Sequence, residues 1–130
     1  HSVLFGMMVG GHCIGAEWGI LYIRAEYPES VTIVQNAIDE LREANLLGKD
    51  ILGTGFNFDF KIIKAKGAYI CGEETALINS IEGQRPEVRT RPPFPAQKGL
   101  FNKPTIVISL EFATVYILTR SILFSVVFRT

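Results

Sequence analysis

The chain has 130 residues, with thirteen Lys and Arg balanced by thirteen Asp and Glu, and it is 48% hydrophobic and 20% charged. Its length supports one compact domain and its composition excludes a chain that is mainly disordered. The zero net charge leaves no basic field for nucleic acid or an anionic membrane surface. Two cysteines, Cys13 and Cys71, form no Cys-x-x-Cys pair, and the histidines are His1 and His12. These counts argue against a disulfide framework, a self-contained zinc or iron–sulfur site, and a histidine-dependent hydrolase triad. His1 in place of an initiator Met, with no basic segment before the first apolar run, reads as an excised piece and not as a signal peptide.

From Val3 to Ala16, apolar residues at a rough 3-4 spacing alternate with Gly6, Gly10, Gly11 and Gly15. This predicts a buried helix whose glycines allow close packing, ending near Gly15. Gly19 to Ala25 is rich in β-branched and aromatic residues and predicts an inner strand. Pro28 opens a second helix with Glu29 in its first turn and Val31, Val34, Ile38 and Leu41 as its apolar stripe; Gly48 is expected to stop it. Asp39, Glu40, Arg42 and Glu43 read as its solvated face.

Phe56, Phe58 and Phe60 alternate with polar residues before Ile62 and Ile63, the period of a strand with an aromatic core face. Strand, helix and strand in this order predict a right-handed βαβ crossover and a parallel sheet, hence an α/β fold. Gly53-Thr54-Gly55 lacks the third glycine of a dinucleotide fingerprint and precedes a strand, so it reads as a plain turn. Ala68 to Cys71 is a short strand or turn, and Gly72 to Ile81 a third helix closed by Gly83. Arg85 to Pro95, with Pro86, Pro92, Pro93 and Pro95, predicts an extended polyproline-like connector. Ile106 to Phe128 is a long apolar stretch containing Glu111 and Arg120. Each of those charges costs about 2.5–3.5 kcal/mol near a bilayer centre, so core strand and helix, or aberrant sequence, is preferred to a membrane span.

The chemistry concentrates after residue 67. Glu73 and Glu74 fall at the start of the third helix, where carboxylates either stabilise the helix or accept hydrogen bonds from ribose hydroxyls or a carboxamide. Arg89 and Arg91 are either solvated arginines on a stiff connector or guanidinium groups for a pyrophosphate. Phe94, flanked by prolines, can stack on a purine. The Cys71 thiol precedes a helix start, but Glu73 and Glu74 oppose its ionisation.

The run Gly67-Ala68-Tyr69-Ile70-Cys71-Gly72-Glu73-Glu74-Thr75-Ala76-Leu77, with Ser80-Ile81-Glu82-Gly83, Arg91-Pro92-Pro93-Phe94-Pro95-Ala96-Gln97, Gly99-Leu100 and Lys103-Pro104-Thr105, resembles the NADH-binding flavoprotein subunit of respiratory complex I. The same subunit type occurs in NAD-linked hydrogenases and formate dehydrogenases. Upstream, Tyr22 to Pro28 and Leu47 to Phe56 resemble it too, so that the similarity runs from about His1 to Thr105.

The resemblance implies an incomplete Rossmann-like α/β domain, with residues 1–105 as part of the FMN/NADH domain and 106–130 as an apolar divergent tail. It implies an NADH:acceptor oxidoreductase in which NADH passes hydride to FMN and electrons leave through iron–sulfur clusters. Tyr69, Gly72, Glu73 and Glu74 are implied to bind beside flavin and nicotinamide. Arg91 is implied near the dinucleotide phosphates and Phe94 on the adenine. The implied partners are the other subunits of such a complex or hydrogenase, including an iron–sulfur thioredoxin-like subunit. The expected location is cytoplasmic, or peripheral on the cytoplasmic or matrix side of a respiratory membrane, with no span of its own.

The family's glycine-rich flavin loop and Asn-Ala-Asp-Glu segment lie upstream of this sequence, and its four-cysteine 4Fe-4S region lies downstream. Where the family has Asn-Asn-Val-Glu-Thr, this chain reads Ile108-Ser109-Leu110-Glu111-Phe112, keeping only Glu111. These residues alone are therefore expected to be inactive, and a non-catalytic remnant serving as a structural or interaction module is the alternative.

Overall fold

The computed structural model describes residues 1–66, 69–109 and 124–128. Its elements run α1 (Ser2–Ile14), β1 (Trp18–Arg24), α2 (Pro28–Glu43), β2 (Gly48–Ile51), β3 (Phe56–Ala65), a 3-10 turn (Tyr69–Gly72), α3 (Glu74–Ile81), α4 (Pro95–Lys98), a second 3-10 turn (Leu100–Asn102), β4 (Thr105–Ser109) and β5 (Phe124–Phe128). The strands form one sheet in the order β2-β3-β1-β5-β4.

The expected parallel pairing is present between β1 and β3, in register from Trp18 opposite Asp59 to Arg24 opposite Ala65. The sheet as a whole is mixed and not parallel, since β2 pairs antiparallel with β3, β5 with β1, and β4 with β5. The antiparallel β2 follows from local chemistry, because Gly53 and Gly55 at φ 69° and 74° reverse the chain between β2 and β3. That is the plain turn expected of Gly53-Thr54-Gly55. Asp50 Oδ1 accepts from the Gly55 amide at 2.7 Å and closes it.

Alternate residues of β1 feed two separate cores, as the strand period requires. Leu21 and Ile23 join Phe58 and Phe60 beneath α1 and α2, while Ile20 and Tyr22 join Cys71, Leu77, Ile78 and Leu100 on the α3 side. Burial of both faces explains the continuous apolar reading of this strand. The three phenylalanines of β3 interlock on the first face, Phe58 edge-on to Phe60 at 5.1 Å and stacked with Phe56 at 5.7 Å. In α2, Val31 and Ile38 are buried, with Val34 and Leu41 packed beside them. Asp39, Glu40, Arg42 and Glu43 are exposed, as expected.

The three longer helices end alike. The amide of Gly15, Asn45 or Gly83 bonds back to His12, Arg42 or Ser80, and the next amide, of Ala16, Leu46 or Gln84, bonds back to Gly11, Leu41 or Asn79. This closure needs a left-handed residue, and Asn45 at φ 55° supplies it in α2. The helix therefore stops at Glu43 and not at Gly48, which opens β2 instead.

Of the strand or turn expected before the third helix, Tyr69–Gly72 forms a turn, of the 3-10 type. Residues 85–94 have no regular structure, the Arg91–Pro92 and Pro92–Pro93 peptide bonds are cis, and Pro95 opens α4. The apolar stretch contributes β4 and β5, whereas residues 110–123, including Glu111 and Arg120, lie outside the described residues. Among the described residues no helix is long and apolar enough to cross a membrane.

Gly11 is the glycine of α1 that close packing demands. A Cβ there would lie 2.4 Å from Cε2 of the buried Phe58 ring, whereas one at Gly10 would meet only Ile108 Cδ1 at 4.0 Å. Overpacking costs about 1–3 kcal/mol and helix propensity returns about 1 kcal/mol. Gly11→Ala is expected to lower stability in urea unfolding, and Gly10→Ala to raise it by about 0.5–1 kcal/mol. Equal shifts in the two variants would contradict this packing.

Candidate functional site

The chain leaves the carboxyl end of β3 at Ala65 and reaches Glu73 through the 3-10 turn. Tyr22, near the carboxyl end of β1, underlies that turn. Its phenol lies 3.0 Å from Ser80 Oγ of α3 and donates to Cys71 Sγ at 3.7 Å. Burial pushes the Tyr22 phenol above its usual range, against the opposing effect of the Ser80 bond. It is therefore a neutral anchor beneath the start of α3. The carboxyl ends of parallel strands are where α/β sheets place ligands.

Glu73 caps α3 and does not sit in its first turn. Its Oε2 accepts from the Thr75 and Ala76 amides, both at 2.9 Å, and from the Thr75 hydroxyl. Its Oε1 accepts from Arg91 Nη2, which also lies 2.9 Å from Glu74 Oε1. Glu73, Glu74 and Arg91 are thus brought together by the structure. The Thr75 and Ala76 amides are taken up by the chain's own carboxylate, and Arg91 is the cation of the group.

Burial raises the Glu73 carboxyl, but the bonds from Thr75, Ala76 and Arg91 together outweigh it and hold the group below 4.5. The remaining site residues lie nearby in sequence. Tyr69 opens the 3-10 turn and Gly72 ends it. Phe94 caps α4 and is 52% exposed. No positive φ is found at Gly72 and nothing among the described residues lies within 4 Å of a Cβ built there, so neither its backbone nor packing against those residues requires a glycine.

Arg89 is engaged within the chain and only part-exposed. Its Nε donates to Asn79 Oδ1 at 2.6 Å and its Nη2 to Glu82 Oε2 at 2.5 Å. Both guanidinium groups expected to be available to a pyrophosphate are thus paired within the chain, Arg89 with Glu82 and Arg91 with Glu73 and Glu74. Thr75, Asn79 and Glu82 are the polar residues that sequence reasoning passed over. Their 4-3 spacing on α3 was the available signal. A cleft of about 160 Å3 between α3 and α4 is lined by Thr75, Arg89, Thr90, Pro93, Pro95 and Lys98. Among the described residues, no group of His, Cys, Asp or Glu could hold a metal ion.

Residues 1–116 match the Nuo51 FMN-binding domain family. The chain is 54% identical over 111 residues to an NADP-reducing hydrogenase subunit of Solidesulfovibrio fructosivorans, covering 85% of this chain and 23% of that protein. It is 47% identical over 111 residues to an NADH-quinone oxidoreductase subunit of Aquifex aeolicus, covering 85% and 26%. The chain thus spans about a quarter of the length of these curated relatives. Among solved structures, an NAD+-reducing [NiFe]-hydrogenase in the H2-reduced state superposes with a TM-score of 0.75 at 33% identity, over 86% of this chain and 18% of that one.

The lowered Glu73 carboxyl has a definite pH signature. Its contribution to stability is complete above the unfolded value near 4.5 and is lost as pH falls through the lower folded value. Glu73→Gln is expected to cost about 1 kcal/mol at pH 7, the size of a helix cap, and progressively less below pH 4.5. Urea unfolding of both proteins from pH 7 to pH 3 checks this, and a difference independent of pH would contradict it.

Proposed function

The chain belongs to the Nuo51 FMN-binding domain family, and from that membership we propose that it is part of an NADH:acceptor oxidoreductase subunit. The observation that carries this reading is the meeting of Glu73, Glu74 and Arg91 at the start of α3. In this reading residues 1–105 are part of the FMN/NADH domain and 106–130 a divergent apolar continuation. The carboxylates accept bonds from the nicotinamide ribose or carboxamide, Arg91 pairs with a phosphate oxygen, and the half-exposed Phe94 stacks on the adenine.

Tyr69, Gly72 and Glu73 lie beside the flavin. The space at Gly72 among the described residues supports that placement, because it would leave room for the flavin there. FMN, when bound, supplies the hydride acceptor and releases electrons singly. The chain's own residues bind and orient the dinucleotide against it. With only two cysteines in 130 residues, the 4Fe-4S exit belongs to sequence beyond these residues. The partners are the other subunits of a complex I or NAD-linked hydrogenase assembly, including a thioredoxin-like iron–sulfur subunit. The placement is cytoplasmic or peripheral on the cytoplasmic or matrix face of a membrane.

Grafting residues 1–105 in place of the matching segment of the Aquifex aeolicus protein tests this reading. The graft is expected to retain FMN and NADH-dependent reduction of an artificial acceptor. Arg91→Ala should lower kcat/KM for NADH by about 10- to 100-fold, the loss of one charge-assisted bond. Gly72→Ala should deplete FMN from the graft while changing the stability of the 130-residue chain by less than about 0.5 kcal/mol. A folded graft that binds FMN without oxidising NADH would overturn the proposal, and a folded graft that binds neither would favour the non-catalytic remnant.

A further inference from the structure

The segment carrying Arg91 and Phe94 has no regular structure of its own, yet it is bound to α3 at every second residue. The Glu87 carbonyl accepts from Asn79 Nδ2 at 2.8 Å. The Arg89 amide donates to Thr75 Oγ1 at 3.0 Å while the Arg89 guanidinium holds Asn79 and Glu82. Arg91 then reaches Glu73 and Glu74. Between the first two of these points Val88 faces away, being 59% exposed. This is the two-residue alternation of an extended chain laid along a helix.

The helix side of the contact is dry and fully paired. Thr75 is 3% and Asn79 6% exposed, and the Glu82 side chain is 10% exposed. Glu82 uses its second oxygen to accept the Phe101 amide at 2.7 Å, so it also joins the second 3-10 turn to the assembly. Thr75 links both ends, accepting from the Arg89 amide and donating to the Glu73 carboxylate that Arg91 pairs with. A guanidinium that binds an amide oxygen through Nε and a carboxylate through Nη2 fixes direction as well as position, which an ammonium cannot do.

We propose that Arg89, held by Asn79 and Glu82, is a positioning residue for the dinucleotide site, latching the proline segment to α3 so that Arg91 is delivered to Glu73 and Glu74. The role in dinucleotide binding rests on the function proposed above; the latch itself does not. Arg89 keeps its side chain on the helix and acts through Arg91.

The test uses the full 130-residue chain with Arg89→Lys, which keeps the charge and loses the fork, and Glu82→Gln, which keeps the shape and removes the paired charge. Two readouts are taken: the Arg91 Nη2–H resonance of the chain without ligand, and the NADH affinity, in the presence of FMN, of the Aquifex aeolicus graft carrying the same substitutions. In the parent the Arg91 resonance is expected to be shifted and slow to exchange, and in both variants to collapse towards that of a free arginine. NADH affinity should fall about tenfold in either variant. Arg89→Lys should add nothing in an Arg91→Ala background, because both changes remove the same interaction.

An unchanged Arg91 resonance in two folded variants, or losses of affinity that multiply in the double variant, would overturn the proposal. If one variant fails to fold, the other decides. A resonance that collapses in the variants, with a parent graft that binds FMN but no NADH, would support the latch and overturn the dinucleotide reading, so the two failures are distinguishable.

Discussion

Parallel pairing of β1 with β3 is the constraint from which the rest of the molecule follows. It places β1 inside the sheet, with β3 on one side and β5 on the other, and so obliges both its faces to be covered. Leu21 and Ile23 are covered by α1 and α2, and Ile20 and Tyr22 by the layer that contains α3. The start of α3 is located by that second requirement. Cys71, Leu77 and Ile78 bury against the sheet, and the acidic residues between Cys71 and Leu77 are left at the edge of the packed layer.

Given that location, one carboxylate serves three demands. Glu73 ends the exposure of the first α3 amides, holds the Thr75 hydroxyl and pairs with Arg91. Structural and ligand-directed readings of acidic residues at a helix start are usually treated as rivals. Here the two oxygens of Glu73 divide the work, Oε2 turned to the helix and Oε1 to the guanidinium. Stability and readiness for a ligand therefore share a residue, and a change at Glu73 acts on both.

Much of this was legible in the residues themselves. The strand period of Phe56, Phe58 and Phe60 and the stripe of Val31, Val34, Ile38 and Leu41 identify elements because each pattern expresses which face is buried. Gly15 and Gly83 end helices where expected, as glycine favours the left-handed position. The end of α2 was hidden because Asn45 takes that position without looking like a stop signal. The antiparallel strands were hidden for another reason, since strand direction is a property of partners far apart in sequence. At the site, the opposite charges of Glu73, Glu74 and Arg91 made their meeting readable. The burial of Thr75, Asn79 and Glu82 was not, because polar residues at helical spacing look the same whether water or an arginine faces them.

The alternation of residues 87, 89 and 91 against α3 has a consequence for how this segment can drift. Glu87 contributes only its carbonyl to the contact and Val88 points outward, so the identity of these two side chains is weakly constrained. Length is constrained far more. A single inserted or deleted residue between positions 87 and 91 reverses which side chains face the helix, turning an arginine outward and an apolar residue inward. A change of two residues restores the phase at the expense of a bulge. Parity of loop length, more than composition, is the property this part of the chain must preserve.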